Sequence, residues 1–133
     1  MWSVFLKLRR RAGALAGGTL VKISEGTAIR IGRPAQPPDP AVAMRLAQAG
    51  GNEGQITALY MFQAAIGTRV PYMVVGLTFA PETTHDEKLA TIGRVAKSIQ
   101  PLMRGEFELQ ELSGTYLNSV RETIPPIYVS AGH

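Results

Sequence analysis

Between Ser24 and Arg45 four prolines fall within seven positions, Pro34, Pro37, Pro38 and Pro40, after a β-patterned run and before a helical one. The pyrrolidine ring fixes φ and removes a backbone donor, so no inner strand can pass through this stretch. The chain must turn over the surface here. Asp39 is a natural N-cap, and Pro40 stands at the first helical position, where a missing N–H costs nothing. The stretch is therefore a β-to-α corner, and the rest of the fold has to be built on either side of it.

Upstream, residues 19–24 carry Val21 and Ile23 and predict a strand. Residues 27–32 predict a second, with Thr27, Ile29 and Ile31 on one face and Arg30 on the other; Glu25-Gly26 supplies the turn between them. Downstream, Val42, Ala43 and Leu46 mark the inward face of a helix over residues 40–49, which Gly50-Gly51 should stop.

Residues 56–66 and 70–79 then read as two strands joined through Gly67-Thr68-Arg69. In the first, Ile56, Ala58, Tyr60 and Phe62 alternate with Leu59 and Met61. In the second, Met73, Val75, Leu77 and Phe79 alternate with Tyr72 and Val74. Apolar residues on both faces predict strands in the middle of a sheet.

Thr84-His85-Asp86-Glu87 has the form of a capping box. Leu89, Ile92, Gly93, Ala96, Ile99 and Met103 follow at helical spacing, with Gly93 expected to permit a close helix approach. Pro101 should end this helix near Gln100 and leave its last turn disordered. Residues 106–112 alternate, Phe107 and Leu109 inward and Glu106, Glu108 and Gln110 outward, predicting a strand with one wet face. A short helix over 115–122 through Leu117 and Val120, and a terminal edge strand over 125–129, complete the order. Helices that interrupt hairpins, rather than alternate with every strand, predict the α+β class. The expected architecture is a mostly antiparallel mixed sheet with two main helices packed on one face, a two-layer sandwich spanning residues 19–133.

The formal charge of +4 locates outside that domain. Lys7, Arg9, Arg10 and Arg11 are four of fourteen basic residues, and the remaining ten balance the ten acidic ones. A neutral body argues against nucleic acid as the partner, since nucleic-acid domains spread positive charge over the fold. Residues 1–18, ending in A-G-A-L-A-G-G, read as a flexible basic tail or linker remnant. The competing reading is a short amphipathic helix, with Trp2, Phe5, Leu6 and Leu8 touching a membrane surface or a partner. The apolar run is too short to span a bilayer and precedes the basic residues, the reverse of a secretory signal, so cytoplasmic location is expected.

Catalytic constellations are scarce. The absence of cysteine removes thiol nucleophiles, disulfides and thiolate metal sites. The two histidines are His85, beside a helix cap, and His133, at the end of the chain. They do not suffice for a His-based metal centre or a His-centred triad. No G-x-S-x-G, phosphate loop or G-x-G-x-x-G occurs. Glu106 and Glu108 fall on the expected wet face, and Asp86 and Glu87 suit a helix start, so each carboxylate has a structural reason to exist. Tyr60, Tyr72, Tyr116 and Tyr128 lie on different elements and form no stacking platform for RNA. No catalytic, cofactor or metal residue is assigned, and no enzyme activity is expected. Arg30 and Arg33, flanking Gly32 near the helix opened by Asp39-Pro40, are the residues without an evident structural duty. They are the candidate contact for a ligand or partner, an anion held between guanidinium groups and helix amides being the concrete form. Asp39, already at the helix start, would repel such an anion.

The run G-T-A-I-R-I-G-R-P-A-Q-P-P-D-P, the later A-L-Y-M, the strand P-Y-M-V-V-G-L and the ending P-P-I-Y together resemble the C-terminal domain of the SseB family, the bacterial enhanced serine sensitivity proteins. The resemblance covers about residues 19 to 129, and Gly26, Ile31, Gly32, Pro34 and Pro38 are its most specific part. It implies a non-enzymatic domain of unsettled biochemical role, which in longer chains follows an SseB N-terminal domain. It supplies no catalytic residues. Two functions stay open: a protein-interaction module, using the Pro-rich residues 34–40 or the terminal strand and with an SseB N-terminal-type domain as a candidate partner, and a small-ligand or anion-binding domain using Arg30 and Arg33.

Overall fold

The computed structural model describes residues 2–11, 14–24, 29–34, 39–66, 72–103 and 107–130. Within them lie seven strands, β1 (Trp2–Arg11), β2 (Ala14–Ser24), β3 (Ile29–Gly32), β4 (Ile56–Ile66), β5 (Tyr72–Phe79), β6 (Phe107–Glu111) and β7 (Tyr128–Val129). Three helices, α1 (Pro40–Asn52), α2 (His85–Ile99) and α3 (Gly114–Thr123), complete the regular structure. The strands form one sheet in the order β2-β1-β6-β5-β4-β3, with β7 also on β4. Every pair is antiparallel except β5 with β6, which are joined through α2 as a parallel pair requires. The α+β class, the mixed and mostly antiparallel sheet and the two main helices on one face are as the sequence implies.

The capping box forms: the Thr84 hydroxyl accepts from Glu87 N at 3.2 Å, and Glu87 Oε1 accepts from Thr84 N at 3.0 Å. Asp39 caps α1, its Oδ1 accepting from Ala41 N at 2.8 Å with Pro40 opening the helix. Val42 and Leu46 of α1 and Ile92, Val95, Ala96 and Ile99 of α2 bury against Leu59, Met61, Val75, Leu77, Phe107 and Leu109 of the sheet. This is the main core.

The other sheet face is covered too. Ala58, Tyr60, Phe62, Ala64 and Val74 bury beneath Val120 and Ile124, with Tyr116 and Leu117 packed alongside. The amphipathic stripe of α3 therefore adds partial cover to the second face, which corrects the wet face expected for β6. Glu108 is 6% exposed and Gln110 0%. Strict alternation in β6 is real, but both of its faces are buried.

Strand backbone runs through residues 2–11 in β1 and 14–24 in β2, and β1 adds to β6 with Phe5, Leu6, Lys7 and Leu8 opposite Gln110, Leu109, Glu108 and Phe107. Three further expectations are corrected. Helix α1 continues through Gly50-Gly51 to Asn52. Gly50 is no stop: a Cβ there would stand 2.5 Å from Cδ2 of Tyr128, so the glycine seats that ring. Gly93 makes no close approach, a Cβ there meeting nothing within 4 Å. Finally, α2 runs into an ordered 3-10 turn, Gln100–Leu102, because Pro101 fits the start of a new turn even though it cannot continue the old one.

Ile56 also changes sides. It belongs to the α1/α2 core, whereas Ala58, Tyr60 and Phe62 belong to the opposite one. A register irregularity between Ile56 and Ala58 inserts Thr57, whose hydroxyl lies 2.6 Å from that of Thr78. The expected turns at Glu25-Gly26 and Gly67-Thr68-Arg69, the corner prolines 37 and 38, and Glu106 lie outside the described residues.

Candidate functional site

The β-to-α corner singled out by the sequence joins β3 to α1. Arg30 stands in β3 with its backbone opposite Ala65 of β4. Arg33, exposed just beyond the strand, donates from Nε to the carbonyl oxygen of Thr123 at 3.5 Å. Thr123 is the last residue of α3, where unsatisfied carbonyls favour a cation. Arg33 thus has a structural duty, tying the corner to the end of the helix that covers the second core. The start of α1 meanwhile holds its own carboxylate, Asp39. An anion entering here would displace one contact and face the other.

The polar groups that sequence reasoning missed lie beneath α3. The Tyr116 hydroxyl donates to Gln110 Oε1 at 2.5 Å, and Gln110 Nε2 donates to Glu108 Oε2 at 3.0 Å. The Tyr116 ring meets Phe62 edge to face, with centroids 6.1 Å apart. Burial, then neighbouring Tyr72, then the Glu108 charge push the Tyr116 phenol above its usual range, so it remains a proton donor. A phenol held protonated while donating to an amide fixes orientation; it does not supply a base. The signal for this network was the apolar stripe Leu117, Val120 and Ile124, which needs a sheet face to cover and so rules out a wet β6.

A second set of polar contacts ties the helices together on the other face. Arg94 of α2 grips Glu53, just past α1, with Nε and Nη2 each 2.8 Å from a carboxylate oxygen. These hydrogen bonds hold the Glu53 carboxyl below its ordinary value, outweighing the burial that raises it. Lys88 pairs with Glu111 at 2.6 Å and stands 5.9 Å from the centroid of Phe79. In each of these contacts the side chains link one element to the next. Among the described residues, no group of three or more His, Cys, Asp or Glu side chains is placed to hold a metal ion, and no helix is long and apolar enough to cross a membrane.

The arrangement defines an α+β domain whose described polar contacts largely join its own elements, with a proline corner and short strands finishing the sheet at β4. The chain belongs to the SseB protein C-terminal domain family, which it matches over residues 23–129. No curated protein and no solved structure matches it. The family carries no known catalytic role.

Proposed function

We propose that this domain is a non-catalytic interaction module that docks another protein at the end of the sheet formed by β7 and α1. The observation that carries the reading is the exposure of two large apolar side chains, Met44 at 64% and Val129 at 57%, on elements that pack against each other through Gly50 and Tyr128. Among the described residues no second strand pairs with β7, so it offers a sheet edge as a template for main-chain pairing, and an apolar side chain at such an edge adds selectivity. An SseB N-terminal-type domain is the first partner to try, in a cytoplasmic setting. The alternative, an anion held by Arg30 and Arg33, has less support because the Thr123 carbonyl engages Arg33 and Asp39 occupies the nearby helix start.

The test is titration of this chain with an SseB N-terminal domain, followed by calorimetry. Burying a valine side chain is worth about 1.5 kcal/mol, roughly tenfold in affinity. Val129→Lys should therefore weaken binding by at least that factor while leaving the fold intact. Unchanged affinity in both Val129→Lys and Met44→Lys would remove this surface from consideration. A thermal shift with inorganic phosphate that Arg33→Ala abolishes would favour the anion reading instead.

A further inference from the structure

The three helices are held very differently. Helix α1 buries Val42, Leu46 and Gly50, and α2 buries Thr91, Ile92, Val95, Ala96 and Ile99, whereas in α3 only Val120 is fully buried. Side-chain caps close the first turns of α1 and α2. Ser113 makes no such cap among the described residues, and Gly114-Thr115-Tyr116 brings no carboxylate to the positive end of α3. A helix of 10 residues is marginal in water without tertiary support. Beside its apolar stripe, α3 meets the sheet through the Tyr116 bond to Gln110, and its last residue is tied to Arg33 by a 3.5 Å contact on an exposed side.

The chain on either side of α3 has anchors of its own. Leu112 sits on Gly76, where an added Cβ would stand 2.5 Å from the Leu112 Cδ1, and its N–H donates to the Leu77 carbonyl at 2.8 Å. On the far side the Ile127 N–H donates to the Leu59 carbonyl at 2.8 Å, and the Tyr128 ring rests on Gly50. Between these anchors Gly114, at φ 58°, enters α3 through a conformation that glycine adopts without strain, and the exposed Pro125-Pro126 follows its end. We propose that α3 is a lid, which melts away from the sheet as one unit between two fixed ends while the rest of the domain stays folded. What it covers is Tyr60, Phe62, Ala64 and Val74, all buried, with the fully buried Gln110 amide on the same side. Elements with few buried contacts open at a lower free energy than the whole domain, and the core between α1, α2 and the sheet contains no residue of α3. Tethers at both ends keep the helix beside the face it leaves, so reclosing costs only the entropy of a short loop. Opening therefore bares an apolar sheet face whose resting occupant is the chain's own helix. This surface is distinct from the β7/α1 docking site, and the two proposals stand or fall separately.

Because the chain has no cysteine, one engineered thiol reports one site without background. Val120→Cys places it on the lid and Val75→Cys in the main core, both at positions 0% exposed. Each full-length variant, folded by circular dichroism, is mixed with an excess of an aromatic disulfide reagent. Val120→Cys should react about a hundredfold faster than Val75→Cys or more, and low urea should accelerate Val75→Cys far more steeply, because reaching that thiol exposes the surface of the whole domain. Adding Ile92→Val, which trims the main core, should speed Val75→Cys about fivefold and leave Val120→Cys unchanged. Equal rates with the same urea dependence, or an Ile92→Val effect of the same size on both, overturn the lid. Should a cysteine variant not fold, amide exchange of the wild-type chain decides. Residues Leu117 to Ile124 should then exchange with one common opening constant, about a hundredfold or more less protected than Val74 to Leu77. Protection equal to that of β5, or protection graded from one end of α3 as in simple fraying, refutes the proposal.

Discussion

Adjacent glycines at the end of α1 should respond in opposite directions to the same substitution. Both are helical, and neither has the positive φ that is found at Gly114. Helix propensity alone makes alanine better than glycine by up to about 1 kcal/mol at either position. At Gly51 a Cβ meets nothing within 4 Å, so Gly51→Ala should stabilise by up to that amount. At Gly50 the Cβ would lie 2.5 Å from Cδ2 of Tyr128 and 2.8 Å from both Cγ and Cε2. Cγ is the root of the ring, so rotating the tip away gives no relief and β7 itself must shift from β4. Overpacking of this kind costs about 1–3 kcal/mol, which outweighs the propensity gain and leaves Gly50→Ala between neutral and about 2 kcal/mol destabilised. Urea unfolding followed by far-UV circular dichroism separates the two variants: with a slope of about 2 kcal/mol/M, a 2 kcal/mol difference moves the midpoints about 1 M apart. The cycle closes with Tyr128→Ala, in whose background Gly50→Ala should become stabilising. If both alanines stabilise the wild-type background equally, the seating of Tyr128 on Gly50 is wrong, and with it the way β7 is held at the sheet edge.

Two other expectations concern the polar contacts. Tyr116→Phe removes the donor to Gln110 Oε1 and leaves a fully buried acceptor unsatisfied, a cost of about 1–3 kcal/mol, and thermal unfolding should show the loss; a shift below about 0.5 kcal/mol would mean that water replaces the hydroxyl. The Glu53 carboxyl is held below its ordinary value near 4.5, so its pair with Arg94 contributes fully above that pH and is lost as pH falls through the folded-state value. A double-mutant cycle of Glu53→Gln and Arg94→Ala should therefore return a favourable coupling at neutral pH that fades in acid, and a coupling independent of pH would contradict the assignment.

The elements that local chemistry dictates were legible in the sequence. Asp39-Pro40 and the Thr84–Glu87 box place two helix starts to the residue, because a cap is satisfied by atoms within three positions of itself. The apolar runs of β4 and β5 place them at the centre for the same kind of reason. What failed depended on distant partners. Whether Glu108 and Gln110 face water is decided by α3, and whether Gly50 stops a helix by Tyr128. Alternation in β6 was read correctly and interpreted wrongly: period two reports two faces, and only the count of apolar stripes elsewhere says how many of them are covered. Arg33 shows the same limit, since its carbonyl partner comes from a helix 90 positions later.

The distribution of partners also bears on function. Glu53, Arg94, Lys88, Glu111, Gln110 and Tyr116 each spend their polar atoms on another element of the same chain. A catalytic group needs the reverse, a polar atom held in place yet left for substrate, and Tyr116 is driven away from that role by the burial that keeps it protonated. Sheet edges differ because a ladder offers main-chain groups whatever its side chains do. Here one edge strand, β7, is two residues long and carries an exposed valine. If recognition is the task of this fold, the backbone at that edge performs it, and substitutions that alter β7 should affect partner binding more than any change to the arginines of the corner.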